Sequence, residues 1–170
     1  IDDSIVRGTT LEKSILTLLD KLDPKKIVIV SSAPQIRFPD CYGIDMSKMK
    51  DFVAFRAVLA LLEENDKSYL LEEVLAKCEE SVGNPDAPNH VLELYKPFTA
   101  DQVSAKITDI VRPKGMKAEL EVIFQSVDNL HVACPDHEGD WYFTGDFPTI
   151  GGNRVVNKSF VNFMKGVTVR

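Results

Sequence analysis

The sequence predicts an α/β domain in which a parallel sheet carries an anion-binding loop at the carboxyl ends of its strands. Three observations lead there. An acidic pair, Asp2-Asp3, is followed after a short spacer by Arg7-Gly8-Thr9-Thr10; a helical apolar period starts at Leu11; and an unbroken β-branched run, Ile27-Val28-Ile29-Val30, comes next. Loop, helix and strand in that order form half of a doubly wound unit, whose ligands gather where the strands end.

The loop holds the residue types that phosphate binding needs. Unpaired N–H groups converge at the start of a helix, where the dipole also favours an anion. Gly8 lets the backbone come close, Thr9 and Thr10 add hydroxyl donors, and the direction of the Arg7 side chain stays open. Asp2 and Asp3 would repel a phosphate, so they suit sugar hydroxyls, a Mg²⁺ shared with a substrate, or a developing positive charge. A carboxylate pair beside a phosphate cradle points to a ribose 5-phosphate.

Leu11, Ile15, Leu18, Leu19 and Leu22 recur at helical spacing and predict a helix of about three turns that stops at Asp23-Pro24. The β-branched run then fits a parallel strand buried on both faces. Residues 31–33 should share the sheet edge with the loop, and residues 34–43 leave it. Ser47 is expected to cap a helix whose apolar face is Phe52, Phe55, Leu59 and Leu62. Leu70, Leu71, Val74, Leu75 and Cys78 predict another helix, stopped by Gly83-Asn84-Pro85, and residues 84–98 read as an extended excursion. Thr99 and Gln102 form a capping box for a helix bearing Val103, Ile107 and Ile110, ended by Pro113 and Gly115. Residues 119–125 read as a further strand, with Ser126 capping the segment after it. Residues 134–153 read as an irregular loop with Trp141 and Tyr142 folded back on the body. Phe160, Phe163 and Met164 predict a last short helix with Gly166 at its end. The expected organisation is a core with the loop over residues 1–62, a mostly helical insertion over 63–105, and C-terminal helices, a short strand and an irregular loop over 106–170.

With 170 residues, 44% hydrophobic and 27% charged, the chain has the composition of a globular protein with one sizeable core. A net charge of −6 argues against nucleic acid as the main partner. No apolar run approaches the ~20 residues of a membrane-spanning helix, and no signal peptide is visible, so a cytoplasmic protein is expected. Cys41, Cys78 and Cys134 show no Cys-x-x-Cys pairing and are expected to be reduced thiols. Ile1 lacks the character of a start: it is not Met, and it sits at the end of the strand that should feed the loop. The chain is therefore expected to be the C-terminal piece of a longer protein, with the first strands missing.

Asp2-Asp3-Ser4-Ile5-Val6-Arg7-Gly8-Thr9-Thr10 resembles the signature that binds phosphoribosyl pyrophosphate (PRPP) in type I phosphoribosyltransferases. Its form is that of the glutamine PRPP amidotransferases, or amidophosphoribosyltransferases. A second block, Ser32-Ala33-Pro34-Gln35-Ile36-Arg37-Phe38-Pro39-Asp40-Cys41-Tyr42-Gly43-Ile44-Asp45-Met46, is similar to the block that follows the loop in that family. The resemblance is clear over residues 1–62, weaker near 123–130 and 143–149, and absent between. It implies a partial type I phosphoribosyltransferase fold and an enzyme in which glutamine-derived ammonia displaces pyrophosphate from PRPP to give 5-phosphoribosylamine. In that chemistry Asp2 and Asp3 are catalytic, holding ribose hydroxyls and Mg²⁺. Val6, Arg7, Gly8, Thr9 and Thr10 clamp the 5-phosphate, and Ser4 and Ile5 join the two halves of the loop. The pyrophosphate-binding residues and the glutaminase domain with its N-terminal cysteine nucleophile would lie upstream, leaving this chain inactive alone; homo-oligomerisation stays open. Two alternatives are a regulatory module that binds PRPP without catalysis and a base phosphoribosyltransferase with no glutaminase.

One branch of the family carries a [4Fe–4S] cluster on cysteines. Here three of the places its ligands would take hold Asp40, Asp136 and Gly139, and Cys41 is one residue out of step, so no iron–sulfur cluster is expected. Cys134, His131 and His137 are too loosely spaced for zinc and read as loop and helix residues.

Overall fold

In the computed structural model, which describes residues 1–40, 46–137 and 139–167, the first helix follows the loop directly. Its first turn, Leu11–Ile15, is π-helical and the rest, Leu16–Asp20, is α-helical; together they are α1. The π-turn changes which residues face inward. Leu11 and Leu16 are buried, whereas Ile15, Leu18 and Leu22 of the expected face are exposed. A π-turn bonds i to i+5, so it stacks Leu16 beneath Leu11 and rotates the later leucines outward.

Strand β1, Lys26–Ser31, pairs in parallel with β2, Glu119–Phe124, with Ile27 opposite Leu120 and Val30 opposite Ile123. Asp2 adds a parallel bridge to Ser31 on the other edge of β1. Its N–H donates to Val30 O at 2.8 Å, and Ser32 N–H donates back to Asp2 O at 2.9 Å. This puts residues 31–33 beside the loop, as expected. The expectation that β1 is buried on both faces does not hold. Ile27 and Ile29 are buried, but Val28 and Val30 stay 46% and 38% exposed, and Ile123 of β2 lies open beside them at 43%. Among the described residues no helix covers that face.

The chain between the strands builds the other face. A 3₁₀ turn, Met49–Asp51, leads into α2, Val53–Glu64; then come α3, Tyr69–Glu80, the short α4, Leu92–Tyr95, and α5, Ala100–Val111. Ser47 does not cap α2. Phe52 stands at the cap position without a side-chain bond, and the first N–H of the helix, from Val53, is taken by Val6 O at 2.8 Å. The 3₁₀ turn separates Ser47 from α2, and the Met49 N–H within reach of a cap at Ser47 goes to Ser159 Oγ at 3.1 Å; Ser47 accepts the Ser159 hydroxyl through its carbonyl. The expected capping box of α5 is present: Gln102 N–H donates to Thr99 Oγ1 and Thr99 N–H to Gln102 Oε1. α5 packs on α2 and β2, burying Val103, Ile107 and Val111.

After β2, Ser126 caps α6, Val127–Ala133, as expected, and the short α7, Trp141–Thr144, interrupts the stretch read as irregular. Tyr142 does fold back, its carbonyl accepting the N–H groups of Arg37 and Phe38. The last helix, α8, is much longer than expected, Ile150–Met164. Gly151, Gly152 and Asn153 are poor helix formers, which hides its first turn in the sequence. Packing overrides that preference: a Cβ on Gly152 would lie 2.3 Å from the Phe147 ring. Phe55 of α2 meets Phe163 and Phe160 of α8 edge to face, at 5.0 and 6.3 Å between centroids. The excursion before α4 is pinned to α8, since Asn157 donates to Pro88 O and accepts His90 N–H.

Buried Cys78 has its thiol pushed up to about 12 by desolvation, so it stays protonated; Cys134 is exposed, and Cys41 with Tyr42-Gly43-Ile44-Asp45 lies outside the described residues. Among the described residues no helix is long and apolar enough to cross a membrane.

The turn into β2 supplies a pH-dependent element. Asp20 Oδ1 accepts Ala118 N–H at 2.9 Å and Lys117 N–H at 3.1 Å. The Ala118 bond, then the Lys117 bond and the charges of Lys117 and Arg112, hold its carboxyl below the ordinary 3.8 against a desolvation that opposes them. A carboxyl lowered on folding stabilises the fold fully above its unfolded pKa and loses that contribution as pH falls through the folded value. Asp20→Asn should therefore lower the urea midpoint at pH near 7, and the gap to the parent should close as the pH drops below 3.8. An equal gap at both ends of that range, read by urea titrations, would contradict the assignment.

Candidate active site

The loop from Asp2 to Leu11 surrounds a cavity of about 230 Å³ at the carboxyl end of β1. Asp2 enters it from the sheet edge. Its Oδ1 accepts Ser4 N–H at 3.1 Å, which closes a tight turn and fixes the carboxylate over the loop. Asp3 is exposed and stands outside the cavity wall, its carbonyl accepting the Ser32 hydroxyl at 3.1 Å. The structure thus brings Asp2 together with Val6, Arg7, Gly8, Thr9 and Thr10 around one space, and leaves Asp3 beside it.

Backbone direction is set from below. Val6 O accepts Val53 N–H at 2.8 Å, and Arg7 O accepts Arg56 Nη2 at 2.6 Å. In a planar trans peptide the N–H points opposite the C=O. With both carbonyls turned into α2, the N–H groups of Arg7 and Gly8 turn away from it, a local concavity of donors of the kind that holds anions. The first backbone bond of the helix is Glu12 N–H to Gly8 O at 2.9 Å, so the N–H groups just ahead of Glu12 lie in the open first turn. The Arg7 guanidinium approaches Asp51 at 3.8 Å, on the side of the 3₁₀ turn.

Gly8 is required twice over. It sits at φ +71°, and a Cβ there would lie 2.7 Å from Val111 Cγ1 at the end of α5. Ile5 and Leu11, both buried, anchor the two ends of the loop in the core. The supporting residues Asp51, Val53, Arg56 and Val111 escape sequence reasoning. They stand far along the chain in ordinary helical contexts, and nothing local in the sequence marks them as loop supports.

His131 and His137 stack at 4.3 Å between centroids, and His131 Nε2 lies 2.9 Å from Asp140 Oδ2. Among the described residues no group of three or more His, Cys, Asp and Glu converges to hold a metal.

No family model matches the chain, and no solved structure matches it significantly. Curated sequences do. The chain is 48% identical over 54 residues to the amidophosphoribosyltransferase of Escherichia coli, covering 32% of this chain and 10% of that protein. It is 47% identical over 55 residues to the enzyme of that name from Haemophilus influenzae, covering 32% and 11%. A longer match, 32% identical over 146 residues, takes in 78% of this chain and 28% of the amidophosphoribosyltransferase of Staphylococcus epidermidis. The chain spans less than a third of the length of these relatives.

Proposed function

The curated relatives of this chain are amidophosphoribosyltransferases, and on that premise we propose that it is the C-terminal part of such an enzyme. The parent makes 5-phosphoribosylamine from PRPP and glutamine-derived ammonia, the first step of purine synthesis, in the cytoplasm. One observation carries the reading: a carboxylate, two outward-turned N–H groups and an open helix start share one cavity at the end of β1.

In this reading the N–H groups of Arg7 and Gly8 and the hydroxyls of Thr9 and Thr10 bind the 5-phosphate and so position the ribose. Asp2, held by its turn, and Asp3 beside it accept hydrogen bonds from the ribose hydroxyls. They also stand where positive charge develops at C1 as the bond to pyrophosphate breaks. The nitrogen lone pair of ammonia forms the new C1–N bond, pyrophosphate leaves with the C1–O electrons, and nitrogen sheds a proton to become the amine. The two carboxylates are hard oxygen donors of the kind Mg²⁺ takes alongside substrate phosphates, so Asp2 and Asp3 would hold that ion, which when bound supplies charge neutralisation for the departing pyrophosphate. The reading assigns no iron–sulfur cluster. It gives the supply of ammonia to an upstream glutaminase domain, and the open apolar patch of Val28, Val30 and Ile123 is the surface on which upstream parts of the parent would pack.

The test is pyrophosphate release from PRPP by the full parent, with glutamine and with ammonia as the nitrogen source. Release with both is expected, and none from the 170-residue chain alone. An intact parent that binds PRPP without releasing pyrophosphate would make the loop a regulatory binding module. Product formation by the isolated chain would overturn its expected inactivity.

A further inference from the structure

A second cavity, of about 340 Å³, opens at the same sheet edge between the segment after β1, the start of α5 and the start of α6. It shares no lining residue with the loop cavity. Its distinctive member is Arg37. Arg37 is half-buried, which disfavours the charged form of its guanidinium, and among the described residues no carboxylate pairs with it. It is nonetheless held in one orientation. Nε and Nη2 donate to Gln35 Oε1 at 3.2 and 2.8 Å, and Gln35, itself buried, is fixed by donating to Ala100 O and Ser104 Oγ at 2.8 and 2.7 Å. The Tyr95 ring lies 5.4 Å from the guanidinium carbon, and its hydroxyl donates to Arg37 O.

This arrangement spends one edge of the guanidinium on Gln35 and leaves the hydrogens of Nη1 and the second hydrogen of Nη2 for a ligand. A desolvated cation without a counter-charge is unfavourable unless something supplies the charge, and an oriented guanidinium fork is the donor set that takes a planar oxyanion in bidentate fashion. The rest of the wall narrows the choice. Asp101 and Asp128 line the same cavity, with Phe124 and Phe143 as apolar walls. Against one guanidinium, two carboxylates repel a dianionic phosphate but suit a ligand that carries a carboxylate at one end and an ammonium at the other. The volume lies at the lower end of the range for small-molecule sites.

We propose that this cavity binds a small polar α-amino acid, its carboxylate on the free fork of Arg37 and its ammonium towards Asp101 and Asp128. The site is independent of the phosphate loop and does not rest on the reading of that loop. Equilibrium dialysis of radiolabelled L-serine and glycine against the full parent protein tests it, alongside Arg37→Gln, Arg37→Lys and Asp128→Asn. Saturable binding is expected, weakened roughly tenfold or more by Arg37→Gln, since a charged bidentate bond is lost. Arg37→Lys should restore only part of it, because an ammonium lacks the fork. Asp128→Asn should weaken amino-acid binding while leaving competition by acetate unchanged. Thermal unfolding and PRPP binding are followed in each variant. Intact PRPP binding with lost serine binding separates this site from the loop. The proposal is overturned if neither amino acid is retained by the folded parent, if Arg37→Gln binds as the parent does, or if inorganic phosphate competes better than acetate.

Discussion

On the proposed reading of the loop, Gly8→Ala should both weaken phosphate binding there and destabilise the fold. The two costs are physically separate. A non-glycine residue at φ +71° is strained, at roughly 1–2 kcal/mol. The new methyl would also stand 2.7 Å from Val111 Cγ1 and 3.5 Å from Val53 Cγ2, an overpacking that costs about 1–3 kcal/mol. The core can relieve the second cost only by pushing α5 or the loop aside, and moving the loop breaks the bonds from Val53 and Arg56 that aim its N–H groups. PRPP affinity should therefore fall even in protein that remains folded. A double-mutant cycle with Val111→Ala divides the effect, because removing the valine methyls relieves the clash and leaves the φ strain. Urea midpoints should show the pair less destabilised than the sum of the singles, with PRPP binding only partly restored. Gly8→Ala with parental stability and PRPP affinity would show that the loop is not held as described.

The Asp2→Asn, Asp3→Asn double variant of the full parent should abolish pyrophosphate release. Losing a single preorganised electrostatic contact typically costs about 10²–10³ in kcat, and this variant removes both charges while keeping the shape. Asparagine retains an acceptor for Ser4 N–H, so the turn at Asp2 survives and stability should change little. Of the single variants, Asp2→Asn should cost more, because Asp2 lines the cavity and Asp3 stands outside it. Steady-state kinetics decide this. An effect confined to KM would make the pair a binding feature, and equal single effects would mean that Asp3 swings into the cavity when PRPP binds.

Much of the local structure is legible because it is encoded over short distances. The capping box of α5 and the serine cap of α6 are satisfied by residues three apart, and β2 follows from its run of strand-forming residues. The failures share a different cause. The burial of α1 departs from the expected face because a π-turn pairs Leu11 with Leu16 and defeats the period of an ordinary helix. The start of α8 is hidden because Gly152 is there to admit Phe147, a tertiary demand that local propensity counts against a helix. Ser47 does not cap α2 because a 3₁₀ turn separates it from the helix, and the Met49 N–H within its reach goes to Ser159 Oγ, far away in sequence. The apolar run of β1 reads as buried on both sides, and half of that surface is open in this chain.

For the candidate site the division is similar. The sequence alone determined which residues form the loop, that Gly8 belongs at its turn, and that the loop would meet the end of the next strand, because each of these follows from residue chemistry over a short stretch. Only the tertiary structure decided where the loop points. The carbonyls of Val6 and Arg7 are drawn into α2 by Val53 and Arg56, Val111 closes the space that a side chain at position 8 would need, and Asp2 is placed inside the cavity while Asp3 is left at its rim. Those contacts join segments far apart in the chain, and a hydrogen bond or a packing limit between distant residues leaves no mark in the local pattern from which a sequence is read.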